Sequence, residues 1–332
     1  TVYAINTATT CARGMAGSAT VIINTLPIAY MVSGGGNYCS GGSGLHVLLN
    51  NSQIGVNYEL YLNGSGTLLT LPGGGALDFG LQTAPGVYTV VGTNGPGCSR
   101  TMNGSATINV WPLPAVYNVT GGGDYCVGGS GYHIGLALSS IGINYQLKNG
   151  VTNVGTPLAG IGSALDFGIK TAAGNYTVVA TNPVTGCSQI MGSSAAIVIN
   201  PLPTVYTVTG GGAYCTGDTG VHVFLSNAET GVDYALWNGT TLVNTVPGIS
   251  GLPLDFGLQT AAGTYTVKAH DVTTTCNSNM VSSANVVVNP LPVAYNVTGG
   301  GNYCTGGTGG HVMMSNSNTG VDYTLNYLGS PI

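Results

Sequence analysis

Three histidines recur at one place in a repeating pattern, His46, His133 and His222. Each is followed by an aspartate in the string Leu-Asp-Phe-Gly: Asp78, Asp166 and Asp255. His311 holds the same place in a fourth copy, where no matching aspartate follows. An imidazole held by a carboxylate is two thirds of a Ser-His-Asp triad. The remaining part, a nucleophilic serine on a strained strand-to-helix turn beside an oxyanion hole, has no counterpart, because no Gly-x-Ser-x-Gly string occurs. His46 with Asp78, His133 with Asp166 and His222 with Asp255 are therefore expected to be structural cross-strand polar pairs. No catalytic residue is assigned, and the chain is read as a non-enzyme.

Other chemistry-bearing strings resolve in the same way. Val-Thr-Gly-Gly-Gly-Asp-Tyr-Cys (Val119–Cys126) could wrap a phosphate with glycine backbone. It occurs four times, ending at Cys39, Cys126, Cys215 and Cys304, and never leads into Gly-Lys-Ser/Thr. Four copies suit a structural joint, a corner that only glycine can turn. The Asp-Phe-Gly string lacks the lysine and catalytic loop of a kinase. Asp233 and Asp322 stand where Asn57 and Asn144 stand in other copies, an oxygen-ligand pattern that weak calcium sites could use, but no metal or other cofactor is assigned. No Cys-x-x-Cys pair occurs, so a zinc site is not expected. Asn-x-Ser/Thr triplets begin at Asn63, Asn118, Asn175, Asn238 and Asn296.

These residues need a scaffold, and the scaffold is repetitive. Leu-Pro-x-x-Tyr begins at Leu26, Leu113, Leu202 and Leu291, spacings of 87, 89 and 89 residues. That is the length of one small β-sandwich of about 100 residues. Three repeats are expected at 28–114, 115–203 and 204–292, with the C-terminal half of a repeat at 1–27 and the N-terminal half of another at 293–332. Within 115–203, period-2 alternation predicts strands A (115–120), B (132–138), C (143–147), E (165–169), F (176–181) and G (195–200). Tyr132, Ile134, Leu136 and Leu138 are expected inward on B, Ile143, Tyr145 and Leu147 on C, and Leu165, Phe167 and Ile169 on E. Val56, Tyr58 and Leu60, and Val232, Tyr234 and Leu236, repeat the strand-C pattern. No helix-period stretch exceeds one turn. Pro-Leu-Pro ends strand G by removing two backbone donors. Short stiff linkers predict an all-β chain of tandem sandwiches in an extended rod, roughly 35–45 Å per repeat.

Composition bounds the partners. Charged residues are 5% of 332, with five Lys plus Arg and a formal net charge of −5. Such a chain cannot neutralise a row of phosphates, which excludes nucleic acid as a partner. No apolar run approaches the ~18 residues that span a bilayer, so no membrane insertion is expected. Thr1 carries no initiator Met or signal peptide, which fits a processed chain or a window on a longer one.

Gly-Gly-Gly-x-Tyr-Cys-x-Gly-x-x-Gly, then Leu-Asp-Phe-Gly-x-x-Thr-Ala-x-Gly-x-Tyr-Thr-Val, a late Gly-Cys and a closing Pro-Leu-Pro resemble the immunoglobulin-like tandem repeats of large secreted and surface proteins of Bacteroidota. In that family, adhesin-like arrays are associated with type IX secretion and gliding motility. The resemblance covers nearly the whole chain. It implies a multidomain extracellular stalk, adhesin or filament at the cell surface, without catalytic residues. The Gly followed by the Tyr that opens strand F looks like the tyrosine corner of immunoglobulin-like sandwiches, at Tyr88, Tyr176 and Tyr265, with Tyr3 in the same place in the leading half-repeat.

Eight cysteines admit two orderly pairings. Within repeats they are Cys39–Cys98, Cys126–Cys187 and Cys215–Cys276, leaving Cys11 and Cys304 to partners outside their half-repeats. Across repeats they are Cys11–Cys39, Cys98–Cys126, Cys187–Cys215 and Cys276–Cys304, each 28 apart. The within-repeat scheme keeps each domain autonomous and is preferred. Closing a ~60-residue loop contributes about 4 kcal/mol in the chain-entropy model. Eight repeating cysteines also point to an oxidising, extracellular compartment.

The expected function is a structural extracellular repeat protein, a segment of a filament, stalk or adhesin. Its partners are copies of itself, head to tail or lateral, because little charge repulsion opposes contact. The alternative is a carbohydrate- or surface-binding adhesin module with loop-borne sites and surface glycans as partners. Trp111 and Trp237 occupy different places in their repeats and form no repeated sugar platform. The half-repeats belong either to a longer array or to neighbouring subunits that complement each other by strand donation.

Overall fold

The computed structural model describes residues 1–331. Among them the ordered elements are all β-strands, and none of the described segments is a helix long and apolar enough to cross a membrane. The chain divides into two compact units, one of Thr1–Gly122, Tyr132–Lys170 and Gly174–Ala196, the other of Gly123–Gly131, Thr171–Ala173 and Ile197 onward.

In the first unit, residues 28–114 form nine strands: β1 (Val32–Gly34), β2 (Gly36–Cys39), β3 (Leu45–Leu49), β4 (Val56–Leu62), β5 (Ser65–Pro72), β6 (Leu77–Gln82), β7 (Gly86–Asn94), β8 (Ser99–Thr101) and β9 (Ala106–Trp111). Their period-2 pattern buries one face of each long strand. Val47, Leu49, Tyr58, Leu60, Val90 and Ile108 are fully enclosed, with Phe79, Tyr88 and Met102 between them. A sheet ordered β1-β3-β6 faces a larger one ordered β2-β9-β7-β4-β5, with β8 on β7. All pairings are antiparallel except β2 beside β9. This strand order is that of an immunoglobulin-like sandwich.

The glycine triplet is where one strand becomes two. The expected single strand A is instead a short piece in each sheet: β1 antiparallel to β3, then β2 parallel to β9. Gly34, Gly35 and Gly36 take φ of +100, +69 and +130° to make the crossing. A Cβ on Gly34 would lie 2.2 Å from the His46 carbonyl oxygen, and one on Gly35 would lie 2.5 Å from that of Thr107. Any side chain would strike the backbone of both sheets, so the triplet is a sheet-switching joint.

The Leu-Asp-Phe-Gly string makes a second joint. The register between β3 and β6 slips between His46 and Leu48, a β-bulge in β6. Gly80 absorbs it at φ +73°, and its N–H donates to Asp78 Oδ1 at 2.8 Å. The residue after the glycine is thereby turned outward. Ile169, expected inward, is exposed for this reason, as are Leu81 and Leu258. The strand at Tyr132–Leu136 ends before Leu138, which is exposed, and Tyr132 at its mouth is also mostly outside the core. Ile134, Leu136, Ile143, Tyr145, Leu147 and Leu165 are buried.

In the second unit, residues 204–292 build the same sandwich, with sheets of three and six strands around Val223, Leu225, Tyr234, Leu236, Tyr265 and Val267. The linker after the proline is tied down at both repeats. Ile28 N–H donates to Gln53 Oε1 at 2.6 Å and Thr204 N–H to Glu229 Oε2 at 3.0 Å.

The terminal segments differ. In 1–27 only the short hairpin Tyr3–Ile5 with Ala12–Gly14 forms, and residues 20–25, matching β9, form no strand. In 293–331, Val297–Gly299 pairs with Val312–Met314 and Asn326–Tyr327 with Ser330–Pro331. Residues 301–304 and 321–325, matching β2 and β4, stay irregular. Each of these segments lacks, among the described residues, the strand that would hold its backbone hydrogen bonds.

Candidate functional site

The cysteines form junctions between repeats. Cys39 is bonded to Cys187 and Cys126 to Cys276, each with a Cα–Cα distance of 5.6 Å and sequence separations of 148 and 150. This corrects both expected pairings. The reason lies in the last strand of the sandwich. Cys39 ends β2 and lies opposite Trp111, the last residue of β9. Cys98 precedes β8, at the other end of the same edge. Between them lie 13 residues of chain (111 − 98), roughly 40 Å of extended strand at ~3.3 Å rise. A disulfide tolerates less than about 7 Å between Cα atoms. The first cysteine of a repeat is therefore out of reach of its own late cysteine and beside that of the next repeat. Cys187 and Cys276 are fully buried, whereas Cys11, Cys98, Cys215 and Cys304 are free thiols. The free group includes Cys98 and Cys215, both expected in within-repeat bonds.

The histidine and aspartate side chains meet on the outer face of each three-stranded sheet. His46 Nδ1 is 2.8 Å from Asp78 Oδ2, His133 Nδ1 is 2.8 Å from Asp166 Oδ2, and His222 Nδ1 is 2.8 Å from Asp255 Oδ2. All six side chains are about half exposed. The bond from His46, then the Gly80 N–H, holds the Asp78 carboxyl below its ordinary range. For Asp166 the Gly168 N–H is the larger cause and His133 the smaller. For Asp255 the His222 bond leads. Each aspartate thus stabilises the bulge beside it and orients an imidazole. A half-exposed pair of this kind contributes little.

Tyr88 and Tyr265 hydroxyls donate to the carbonyls of Ala84 at 2.9 Å and Ala261 at 2.8 Å. Tyr176 is buried at the equivalent position. Tyr3 is exposed and makes no such tie. Two further sets of tyrosines carry ties that the sequence did not announce. The strand-C hydroxyls accept from the preceding corner: Tyr58 from Gln53 N–H, Tyr145 from Ser140 N–H, Tyr234 from Glu229 N–H and Tyr323 from Asn318 N–H. Burial pushes the Tyr234 phenol up to about 12. The tyrosine of Gly-Gly-Gly-x-Tyr-Cys donates to the threonine carbonyl that follows Leu-Asp-Phe-Gly, as Tyr38 to Thr83, Tyr125 to Thr171 and Tyr214 to Thr260. The signal available was the joint recurrence of these two motifs.

Asn57, Asn144, Asp233 and Asp322 lie on or beside strand C; among the described residues no cluster of three or more His, Cys, Asp or Glu could hold a metal. Asn63 caps a turn, accepting from Val87 N–H at 2.9 Å. Trp111 closes β9, and Trp237 lies under Lys268, whose Nζ is 5.1 Å from the ring centre.

No family model matches the chain, and no curated protein matches it. Among solved structures it is similar to a Ca2+-stabilised adhesin of an Antarctic bacterium, at 15% identity and a TM-score of 0.35, over 82% of this chain and 77% of that one. It is similar to immunoglobulin domains 1–4 of Sidekick-1 at 14% identity and a TM-score of 0.23, over 82% and 75%. Mouse nectin-like molecule 4, as its three-domain ectodomain, gives 13% and 0.33, over 78% and 98%. With TM-scores this low, the assignment of the fold rests on the facing sheets and their strand order. Those make the chain a tandem array of immunoglobulin-like sandwiches.

Proposed function

We propose that the chain is a structural segment of an extracellular array, a stalk, filament or adhesin at the cell surface. Its repeats at 28–114, 115–203 and 204–292 are strung end to end as an extended rod. The secreted and surface arrays of Bacteroidota that its motifs resemble, with type IX export, are the setting this reading favours. Self-association and contact with surface glycans fit a chain of such low charge. The observation that carries the reading is the pair of disulfides joining consecutive repeats. An autonomous binding domain gains nothing from a bond to its neighbour, but a load-bearing chain does. The shortest covalent path from Cys39 to Cys276 runs through both disulfides and the 61 residues between Cys126 and Cys187. Without them it is 237 residues (276 − 39). Closing loops of this size also stabilises by about 5 kcal/mol each, before overlap, in the chain-entropy model.

Single-molecule force extension tests this. Pulling the oxidised chain from its ends should give a final contour length shorter by 176 residues (237 − 61) than after reduction, roughly 600 Å at ~3.4 Å per residue. Equal lengths before and after reduction would remove the mechanical role.

A further inference from the structure

The two disulfides obey one rule: the first cysteine of a repeat bonds the late cysteine of the next. Applied to the whole chain, the rule leaves four thiols whose partners lie outside it. They are Cys11 and Cys98, both late cysteines, and Cys215 and Cys304, both first cysteines, and these are the four that are free.

The apolar faces left open are complementary as well. Tyr3, Ile5, Val21 and Ile23 are exposed in 1–27, although their counterparts Tyr88, Val90 and Ile108 are buried in the core. Val297, Tyr323 and Leu325 are exposed in 293–331, whereas Val208, Tyr234 and Leu236 are buried. The first segment carries strands F and G of a sandwich. The second carries strands A, B and C, including the irregular residues 301–304 and 321–325 that need G and F beside them. The intact repeats therefore show what covers each face.

We infer that this chain joins a second copy head to tail, residues 1–27 of the second copy completing the sandwich begun by residues 293–331 of the first. Two disulfides between the copies lock the joint: Cys215 of the first with Cys11 of the second, and Cys304 of the first with Cys98 of the second. All four leftover thiols are used, and the rule of the internal disulfides is kept. The inference rests on the array reading above. The completed sandwich lacks the Leu-Asp-Phe-Gly strand, so one sheet has two strands instead of three, and the covalent bonds carry more of the joint. Each bond forms by exchange with an external disulfide such as oxidised glutathione. Two protein thiols give up two protons and two electrons, and the external disulfide is reduced to two thiols.

The test uses the full chain, mixed from light and 15N-labelled stocks and incubated in a glutathione buffer. Non-reducing electrophoresis and peptic mapping follow, since five Lys plus Arg give trypsin few cuts. The expected result is a ladder of covalent multimers containing Cys11–Cys215 and Cys98–Cys304 peptides, each found in mixed-isotope form. In the double variant Cys11→Ser/Cys98→Ser, the ladder should fall to background while Cys39–Cys187 and Cys126–Cys276 persist. A monomer with four free thiols overturns the inference, as do multimers linked by any other pairing. Failure of the array reading shows separately, as absence of the Cys39–Cys187 and Cys126–Cys276 peptides.

Discussion

Val21 and Ile108 hold the same place in the last strand of their repeats, yet Val21 is 87% exposed and Ile108 is 0% exposed. Tyr323 and Tyr58 hold the same place in strand C, at 42% and 0%. The motifs around each pair are nearly identical. What differs is whether the neighbouring strands are present. A β-strand satisfies its backbone through partners, unlike a helix, which does so internally. The repeat is thus the smallest unit in which this sequence acquires its structure. The local pattern alone gives a short hairpin at Tyr3–Gly14 and irregular chain at 321–325.

The sharpest way to break this contrast is to make one substitution in both regions. Tyr58→Ala removes a fully buried ring and the hydroxyl that accepts the Gln53 N–H. It should cost about 3–5 kcal/mol, the range for an aromatic truncated in a core. Tyr323→Ala, with the free thiols blocked to keep the chain monomeric, should leave thermal unfolding unmoved. Once copies are joined head to tail, Tyr323→Ala should acquire a measurable cost. Equal effects of the two substitutions in the monomer would contradict the dependence on neighbouring strands.

The glycine joint gives a second, smaller contrast. Gly35→Ala places a Cβ 2.5 Å from the Thr107 carbonyl oxygen, at φ +69°. Gly300 has φ +75°, but a Cβ there meets nothing within 4 Å. Gly35→Ala should cost about 2–3 kcal/mol from strain and steric conflict together. Gly300→Ala should change global stability by no more than surface substitutions do. Urea unfolding with an unchanged m-value is the measurement.

Much of the sandwich was legible because its cause is local. Alternation at Ile143, Tyr145 and Leu147 marks a half-buried strand, and those residues are buried. What escaped is set by geometry that spacing does not encode. Ile169 reads as inward by alternation, but the φ of +79° at Gly168 inserts a bulge and turns it out. The strand expected at 115–120 divides at Gly121–Gly123 between two sheets. The cysteine pairing was illegible for a related reason. Spacings of 59–61 and 28 residues count chain, whereas bonding depends on which end of the last strand each cysteine occupies. Cys39 and Cys98 are near in sequence terms and a strand length apart. The histidine and aspartate positions followed from alternation on two strands of one sheet, which is why their placement could be read at all.

Those pairs give the smallest expected effect and a last contrast between the regions. His46 bonds Asp78, while His311, at the same place in the trailing segment, has no Leu-Asp-Phe-Gly strand beside it. Because the folded state lowers the Asp78 carboxyl below its ordinary value of 3.8, its contribution is fully present above the unfolded value. It is lost as pH falls through the lowered folded value. Asp78→Asn should therefore destabilise at neutral pH by about 0.5 kcal/mol or less, as for other half-exposed pairs. The difference should shrink below the ordinary carboxylate range, where the wild-type carboxyl is protonated too. His311→Ala should show neither effect. Urea unfolding of the variants and the wild type at several pH values checks this, and a deficit of Asp78→Asn that stays constant down to strongly acidic pH would mean that the carboxylate's charge plays no part in holding the bulge.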